Sequence, residues 1–147
     1  MKKIAAVMAL VALSGCAMGI QNNSPSVSFE VDKPAKTVHA RALDQANACM
    51  RGENKMDNNA NNFNRRQSEF DVREQVDASG QQGEVTVVVP LNSAVMARTS
   101  WRALGPQRTA VTQTVWGQGS WDGKTLTAMK ESILMDASVC TVYKVAQ

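Results

Sequence analysis

The segment EVTVVVPLNSAVMARTSWRALGPQRTAVTQTVW, residues 84–116, decides the fold of this chain. Its first part, residues 84–91, is rich in β-branched residues, which are enriched in strands. Pro90 stands near the end of that run, where a missing backbone donor is tolerated. Asn92 and Ser93 then supply a turn. The segment therefore opens with a predicted strand and a reversal of the chain.

Two further strands follow in the same segment. Between Val95 and Arg102, apolar and polar side chains alternate, which predicts one buried and one solvated face. Gly105 and Pro106 make a tight reversal, and residues 109–116 supply the next strand. Because such short connections join antiparallel neighbours, the segment predicts an antiparallel meander.

Strand patterns also precede this segment. Val27, Phe29 and Val31 alternate with polar residues and predict a short first strand. A second alternation, Phe70, Val72 and Val76, ends where residues 77–83 supply a turn. The chain before residue 84 therefore contains two more predicted strands.

The first predicted helix covers residues 35–50. Apolar residues recur there at spacings of three and four, which is typical of an amphipathic helix. Gly52 is the expected stop, and the asparagine-rich residues 53–64 indicate a loop. The apolar stripe consists of Val38, Ala42, Leu43, Ala46, Cys49 and Met50.

The second predicted helix follows a glycine-rich loop at residues 117–123. Its N-cap is Asp122 or Thr125, since both can accept a backbone hydrogen bond. Its apolar positions are Leu126, Met129, Ile133 and Ala137. If the helix continues, Cys140 extends this stripe, but residues 139–145 also alternate as a strand does. The pattern leaves helix and strand open for residues 138–146.

Together these elements predict a two-layer α+β fold. An antiparallel meander sheet of four to five strands would pack one face on two helices. Residues 27–147 would form this single domain, and the other face of the sheet would be left for recognition.

The N-terminus has the three parts of a secretory signal peptide. Lys2 and Lys3 give a positive start, residues 4–13 are an apolar run, and small residues follow at Ser14 and Gly15. The run is too short for a membrane-spanning helix, which needs about 20 apolar residues. Residues 1–15 are therefore predicted to be removed.

The residues at the cleavage site, Leu13-Ser14-Gly15-Cys16, resemble the lipobox of bacterial lipoproteins. The resemblance implies that the Cys16 thiol is diacylated and that the chain is cut before it. It also implies sorting to the periplasmic face of the outer membrane in a Gram-negative host, because Ala17 rather than an aspartate follows. Two or three acyl chains would anchor the domain stably. Residues 16–26 would then be a lipidated tether, in which the ten residues 17–26, when extended, reach at most about 33–36 Å.

Charge and cysteine content limit the function further. Without Lys2 and Lys3, the 16 basic residues fall to 14 against 13 acidic ones, so the strong basic excess of nucleic-acid binders is absent. Cys49 and Cys140 remain, and in an oxidising compartment they are expected to pair across 91 residues. The alternative, a reactive thiol, would need a partner that lowers its pKa.

No pattern of catalytic residues stands out. His39 is the one histidine, and it precedes Cys49 by about 15 Å along the predicted helix, too far for a nucleophile–base pair. The spacing of Gly117, Gly119 and Gly123 departs by one residue from the dinucleotide fingerprint. We therefore expect no enzymatic activity, no cofactor and no metal.

Three residues are candidates for contact with a protein partner. Trp121 lies among glycines and is either folded back onto the sheet or exposed as a contact. Arg98 and Arg102 fall on the outer face of one predicted strand, with Met96 and Leu104. This face is either simply solvated or meets a partner, since arginine is enriched at interfaces.

The sequence thus predicts a membrane-anchored, non-enzymatic envelope lipoprotein that binds or scaffolds another envelope component. Two other classes stay open. A small-ligand carrier would need an enclosed apolar pocket between sheet and helices. An inhibitor of an extracytoplasmic enzyme would need an ordered, protruding loop around Trp121.

Overall fold

A computed structural model of the chain describes residues 18–52 and 70–141. The predicted signal peptide, Cys16 and the whole asparagine-rich loop (residues 53–64) lie outside these residues, as do residues 142–147. The strands are β1 (Ser26–Val31), β2 (Asp71–Val76), β3 (Gln82–Val88), β4 (Val95–Gly105) and β5 (Arg108–Val115). The helices are α1 (Ala35–Gln45), continued by a π-helical turn (Ala46–Met50), and α2 (Gly123–Leu134).

The five strands form one antiparallel sheet in the order β1-β5-β4-β3-β2. Strands β2 to β5 are a meander, as residues 84–116 predict, and β1 adds to its edge beside β5. The predicted α+β class and the number of strands are confirmed.

Both helices pack on the same face of the sheet, and the core lies between the two layers. Val38 of α1 and Ile133 of α2 are fully buried there. From the sheet, alternate residues of the central strands reach the same core, which is the pattern that the alternation predicts. They include Val85, Val87, Ala97, Trp101, Val111 and Val115.

A bulge moves one residue from its predicted face. The pairing of β3 with β4 shifts between Val87 and Val88, which pair with Ala97 and Val95 respectively. Met96 therefore faces no residue of β3, and its side chain turns into the core, where it is 3% exposed. The prediction that Met96 lies on the outer face with Arg98 is wrong, because a one-residue insertion reverses the local alternation.

The helix ends agree with the sequence at two points and differ at a third. Gly52, with φ at +65°, follows the π-helical turn, and Asp122 is the N-cap of α2. The α2 helix stops at Leu134, however, and Asp136 adopts a φ of +53°. The continuation of α2 to Cys140 is therefore wrong. In the described part of this stretch, residues 135–141, the chain is neither helix nor strand.

Residues 18–25, here called the strap, cross one end of the sheet. The Ile20 N–H donates to Val95 O at 2.7 Å, and the Ser24 hydroxyl donates to Trp116 O at 3.1 Å. We call this end, where residues 89–94 also join β3 to β4, the strap end. The opposite end, with the connections 77–81 and 106–107, is the turn end. Most of the stretch predicted as a tether thus lies against the domain.

Candidate functional site

Two rows of side chains on the sheet face opposite the helices are entirely polar, and we call this face the bare face. One row across it follows the strand pairing from Arg73 through Thr86, Arg98 and Thr114 to Ser26. The next row has the same polar composition: Gln75, Glu84, Ser100, Thr112 and Ser28. The face is therefore suited to polar recognition rather than to apolar docking.

Hydroxyl pairs fix the outer edge of the bare face. Ser26 and Thr114 lie 2.9 Å apart through their hydroxyl oxygens, and Ser28 and Thr112 lie 2.9 Å apart in the same way. Each pair sits directly across two antiparallel strands, where side chains on one face come closest. The β1–β5 edge thus presents a regular array of hydroxyl groups.

The two predicted arginines differ in their surroundings. Arg98 Nε lies 3.3 Å from Glu84 Oε2, so its charge is compensated within the sheet. Arg102 is exposed, and among the described residues no carboxylate lies within 4 Å of it. Arg102 is accordingly the better candidate for an external contact. Sequence reasoning missed Glu84, because cross-strand pairing cannot be read from a single strand.

Trp121 is not available to a partner. Its side chain is 7% exposed and meets the Phe70 ring edge-on, with 5.0 Å between ring centroids. The loop around it closes on itself, since Gly117 N–H donates to Trp121 O at 2.7 Å and Trp121 N–H to Gln118 O at 3.1 Å. Of the two predicted alternatives, the exposed contact is wrong, because the indole is buried in the core.

Cys49 and Cys140 form the predicted disulfide. It joins the π-helical turn to the segment that follows α2, with the two Cα atoms 5.1 Å apart. Neither sulfur is a thiol, which removes the reactive-cysteine alternative.

A cavity of about 210 Å³ lies beside the disulfide, between the helices. This volume is below the roughly 300–1,000 Å³ of typical ligand pockets. Its walls come from both helical segments and from the Trp121 loop: Gln45, Cys49, Met50, Phe70, Trp121 and Ala128. Among the described residues, the space between sheet and helices is therefore small for a carrier.

His39 has a structural position that its sequence spacing did not reveal. Its ring stacks on Trp101 with 4.9 Å between centroids, and its Nε2 lies 2.6 Å from Glu74 Oε2. These contacts connect α1 to β4 and β2. His39 thus packs α1 against β4 and β2.

The connection from β2 to β3 is held by one carboxylate. Asp77 Oδ2 accepts from the Ser79 hydroxyl at 2.8 Å, and Oδ1 accepts from Gln82 N–H at 3.3 Å. The Ser79 hydrogen bond, helped by backbone N–H groups, lowers the pKa of Asp77 although desolvation opposes the shift. This exposed turn lies at the turn end, away from the cavity beside the disulfide.

Residues 89–94 at the strap end place a leucine entirely in solvent. Leu91 is 98% exposed, and Met18 on the neighbouring strap is 50% exposed. The sequence placed Leu91 at the end of a strand, but β3 stops at Val88 and the leucine occupies the tip of the connection. Pro90 before this leucine and Asn92 after it were the residues from which a turn could have been predicted.

The described residues hold no group of three or more His, Cys, Asp or Glu side chains arranged for a metal ion. In residues 18–52 and 70–141, no helix is both long and apolar enough to cross a membrane.

The chain matches no protein-family model, and no curated protein is significantly similar to it in sequence.

Proposed function

We propose that this chain is an exported lipoprotein, anchored through lipid on Cys16, whose domain binds another component of the cell envelope without catalysing a reaction. The observation that carries the proposal is the lipobox Leu13-Ser14-Gly15-Cys16 behind a charged start and an apolar run. In this proposal, the anchor places the domain at the outer membrane, facing the periplasm.

The disulfide supports export. Cys49 and Cys140 are bonded, and disulfides persist in oxidising compartments but are rare in the cytosol. The bond leaves Cys16 as the one cysteine of the chain outside the pair. It is therefore free for lipid.

The polar bare face supports binding rather than catalysis. Its charges are largely compensated, as in the Arg98–Glu84 pair, while Arg102 is exposed without a partner among the described residues. A partner protein with an acidic or carbonyl-rich surface fits this face, because a guanidinium offers five donors in a planar fork. A carrier role has less support, given the small cavity beside the disulfide.

Metabolic labelling with palmitate tests the anchor. The wild-type chain should incorporate the label and sediment with membranes, whereas Cys16→Ser should do neither. A Cys16→Ser protein that remained equally membrane-bound would contradict lipid anchoring.

Cross-linking in living cells followed by mass spectrometry tests the binding face. Arg102→Glu should reduce the yield of the cross-linked partner. Lys36→Glu, a charge reversal at an exposed position of α1 in the other layer, is the matched control and should not. If both variants reduced the yield of the cross-linked partner equally, or if neither variant reduced it, a binding site on the bare face would be contradicted.

A further inference from the structure

Two segments at the strap end, the strap and the β3–β4 connection, contain no charged residue. Residues 18–25 read MGIQNNSP and residues 89–94 read VPLNSA. The β1–α1 and β2–β3 connections at the turn end differ in this respect, since they contain Asp32, Lys33 and Asp77. The strap and the β3–β4 connection therefore lose less hydration energy than those two connections when they approach an apolar phase.

A hydrogen-bonded turn keeps the side chain of Leu91 exposed to solvent. Val89 N–H donates to Ala94 O at 2.9 Å, and Ser93 N–H donates to Val89 O at 2.8 Å. The Asn92 side chain accepts from Ala94 N–H at 3.0 Å. Because these bonds fix the turn, Leu91 projects from the sheet as a preformed apolar tip. Transfer of a leucine side chain from water to an apolar environment is favourable, so this side chain is suited to insert into a membrane.

The strap begins two residues after Cys16, the proposed lipidation residue. Two peptide units separate Cys16 from Met18, a span of at most about 7 Å. The strap then packs closely on the β3–β4 connection, since a Cβ on Gly19 would lie 3.1 Å from Val95 O and 3.4 Å from Ala94 Cβ. An anchor on Cys16 would thus bring the strap end, and no other part of the sheet, to the bilayer surface.

We propose that the β3–β4 connection is a membrane-contact site, and that Leu91 inserts into the lipid headgroup region beside the anchor. The inference rests on the proposed lipidation of Cys16. A single leucine binds weakly by itself, but the anchor makes the contact intramolecular and so raises its effective concentration. The strands then rise from the membrane, and Arg102, near the turn end of β4, stays accessible to a partner.

Fluorescence quenching on vesicles tests this orientation. Lipidated protein carrying Leu91→Cys has one free thiol, because Cys16 is acylated and the other two cysteines are paired. The thiol is labelled with an environment-sensitive fluorophore, and the protein is inserted into phosphatidylethanolamine vesicles that contain nitroxide lipids. We expect a blue-shifted emission and several-fold stronger quenching than at control positions. A nitroxide near the glycerol should quench more than one deep in the chain.

Two control positions lie at the turn end. Gln107→Cys places the label in the exposed β4–β5 turn, and Leu134→Cys places it on an exposed apolar residue at the end of α2. Quenching at residue 91 alone supports the inference. Stronger quenching at residue 134 than at residue 91 overturns the membrane-contact site. Equal quenching at all three positions does so too. If the protein still floats with the vesicles, neither result contradicts lipid anchoring.

The lipid composition separates apolar insertion from charge attraction. Replacing part of the phosphatidylethanolamine by phosphatidylglycerol should leave the quenching unchanged, because neither segment carries a charge. Quenching that appears only with the anionic lipid contradicts Leu91 insertion. Protein that neither incorporates palmitate nor floats overturns the proposed function, and the membrane-contact site with it.

Discussion

At the scale of single residues, Gly83 sets how closely β2, β3 and Trp101 approach. It pairs with Val76 on one side and with Trp101 on the other. A Cβ built on Gly83 would lie 2.5 Å from Gln75 O and 2.8 Å from Trp101 Cζ2. Glycine is therefore required here by space rather than by an unusual backbone angle.

Gly83→Ala should lower the free energy of unfolding by about 1–3 kcal/mol, because the methyl group must displace backbone or the buried indole. Gly105→Ala is the matched control at the end of β4, where no atom lies within 4 Å of the added Cβ. Urea denaturation compares the two. A control that loses as much stability as Gly83→Ala would contradict the steric explanation.

Asp77 should titrate below the ordinary aspartate value of about 3.9. Its folded-state pKa is lowered, chiefly by the Ser79 hydroxyl, so its contribution to stability is present above the unfolded pKa. That contribution is lost as the pH falls through the folded pKa. Carboxyl NMR titration should give a low midpoint in the wild type and a higher one in Ser79→Ala. If both proteins had the same midpoint, the Ser79 hydrogen bond would not be the cause of the lowered pKa.

At the scale of elements, the segment after α2 is held by a side chain rather than by regular structure. Ser132 is fully buried, accepts from Val139 N–H at 2.9 Å, and donates to Ala128 O at 2.8 Å. These bonds, with the disulfide at Cys140, direct the chain back over the helices. The apolar spacing of residues 126–137 predicted the helix, but it did not predict that the chain after the helix turns back and is held by Ser132.

Ser132→Ala should lower the free energy of unfolding by about 1–3 kcal/mol, because Val139 N–H loses its partner in a partly buried site. Thr127→Ala is the control, since Thr127 makes the same bond to the carbonyl four residues earlier, at 2.9 Å, on the exposed side of α2. Hydrogen exchange at Val139 should accelerate in the first variant only. An unchanged Val139 exchange rate would contradict this role for Ser132.

The elements also show where sequence reasoning reaches its limit. Alternation and spacing predicted four to five strands and two helices, and the cysteine content predicted the disulfide, because each rests on local periodicity or on composition. The Met96 inversion depends on a bulge, and the Arg98–Glu84 pair depends on the register between two strands. Register depends on residues that are far apart in the chain, so neither the burial of Met96 nor the Arg98–Glu84 pair could be predicted from the pattern of one strand. The burial of Trp121 likewise depends on Phe70, which is distant in sequence.

At the scale of the whole molecule, the disulfide is the main covalent constraint on the described fold. It closes a loop of 91 residues and crosses from the first helical segment to the end of the described chain. In the chain-entropy account, a loop of this length stabilises the folded state by about 4–5 kcal/mol through the unfolded ensemble.

The double variant Cys49→Ala with Cys140→Ala should therefore lose about 4 kcal/mol of unfolding free energy, within the range for native disulfides. Its dependence on denaturant should also steepen, because an uncrosslinked unfolded chain exposes more surface. Guanidinium titrations measure both quantities. A small loss with an unchanged slope would indicate that the unfolded chain is compact without the bond.

The position of β1 has a consequence for the timing of folding. Its partner is β5, so that Ser26 meets Thr114 across a separation of 88 residues. A chain that leaves a ribosome or a translocation channel from its N-terminus cannot complete its sheet until the last strand has emerged. Such long-range pairing is slow to form. Strand β1 therefore stays without its sheet partner in the nascent chain until residues 108–115 are available.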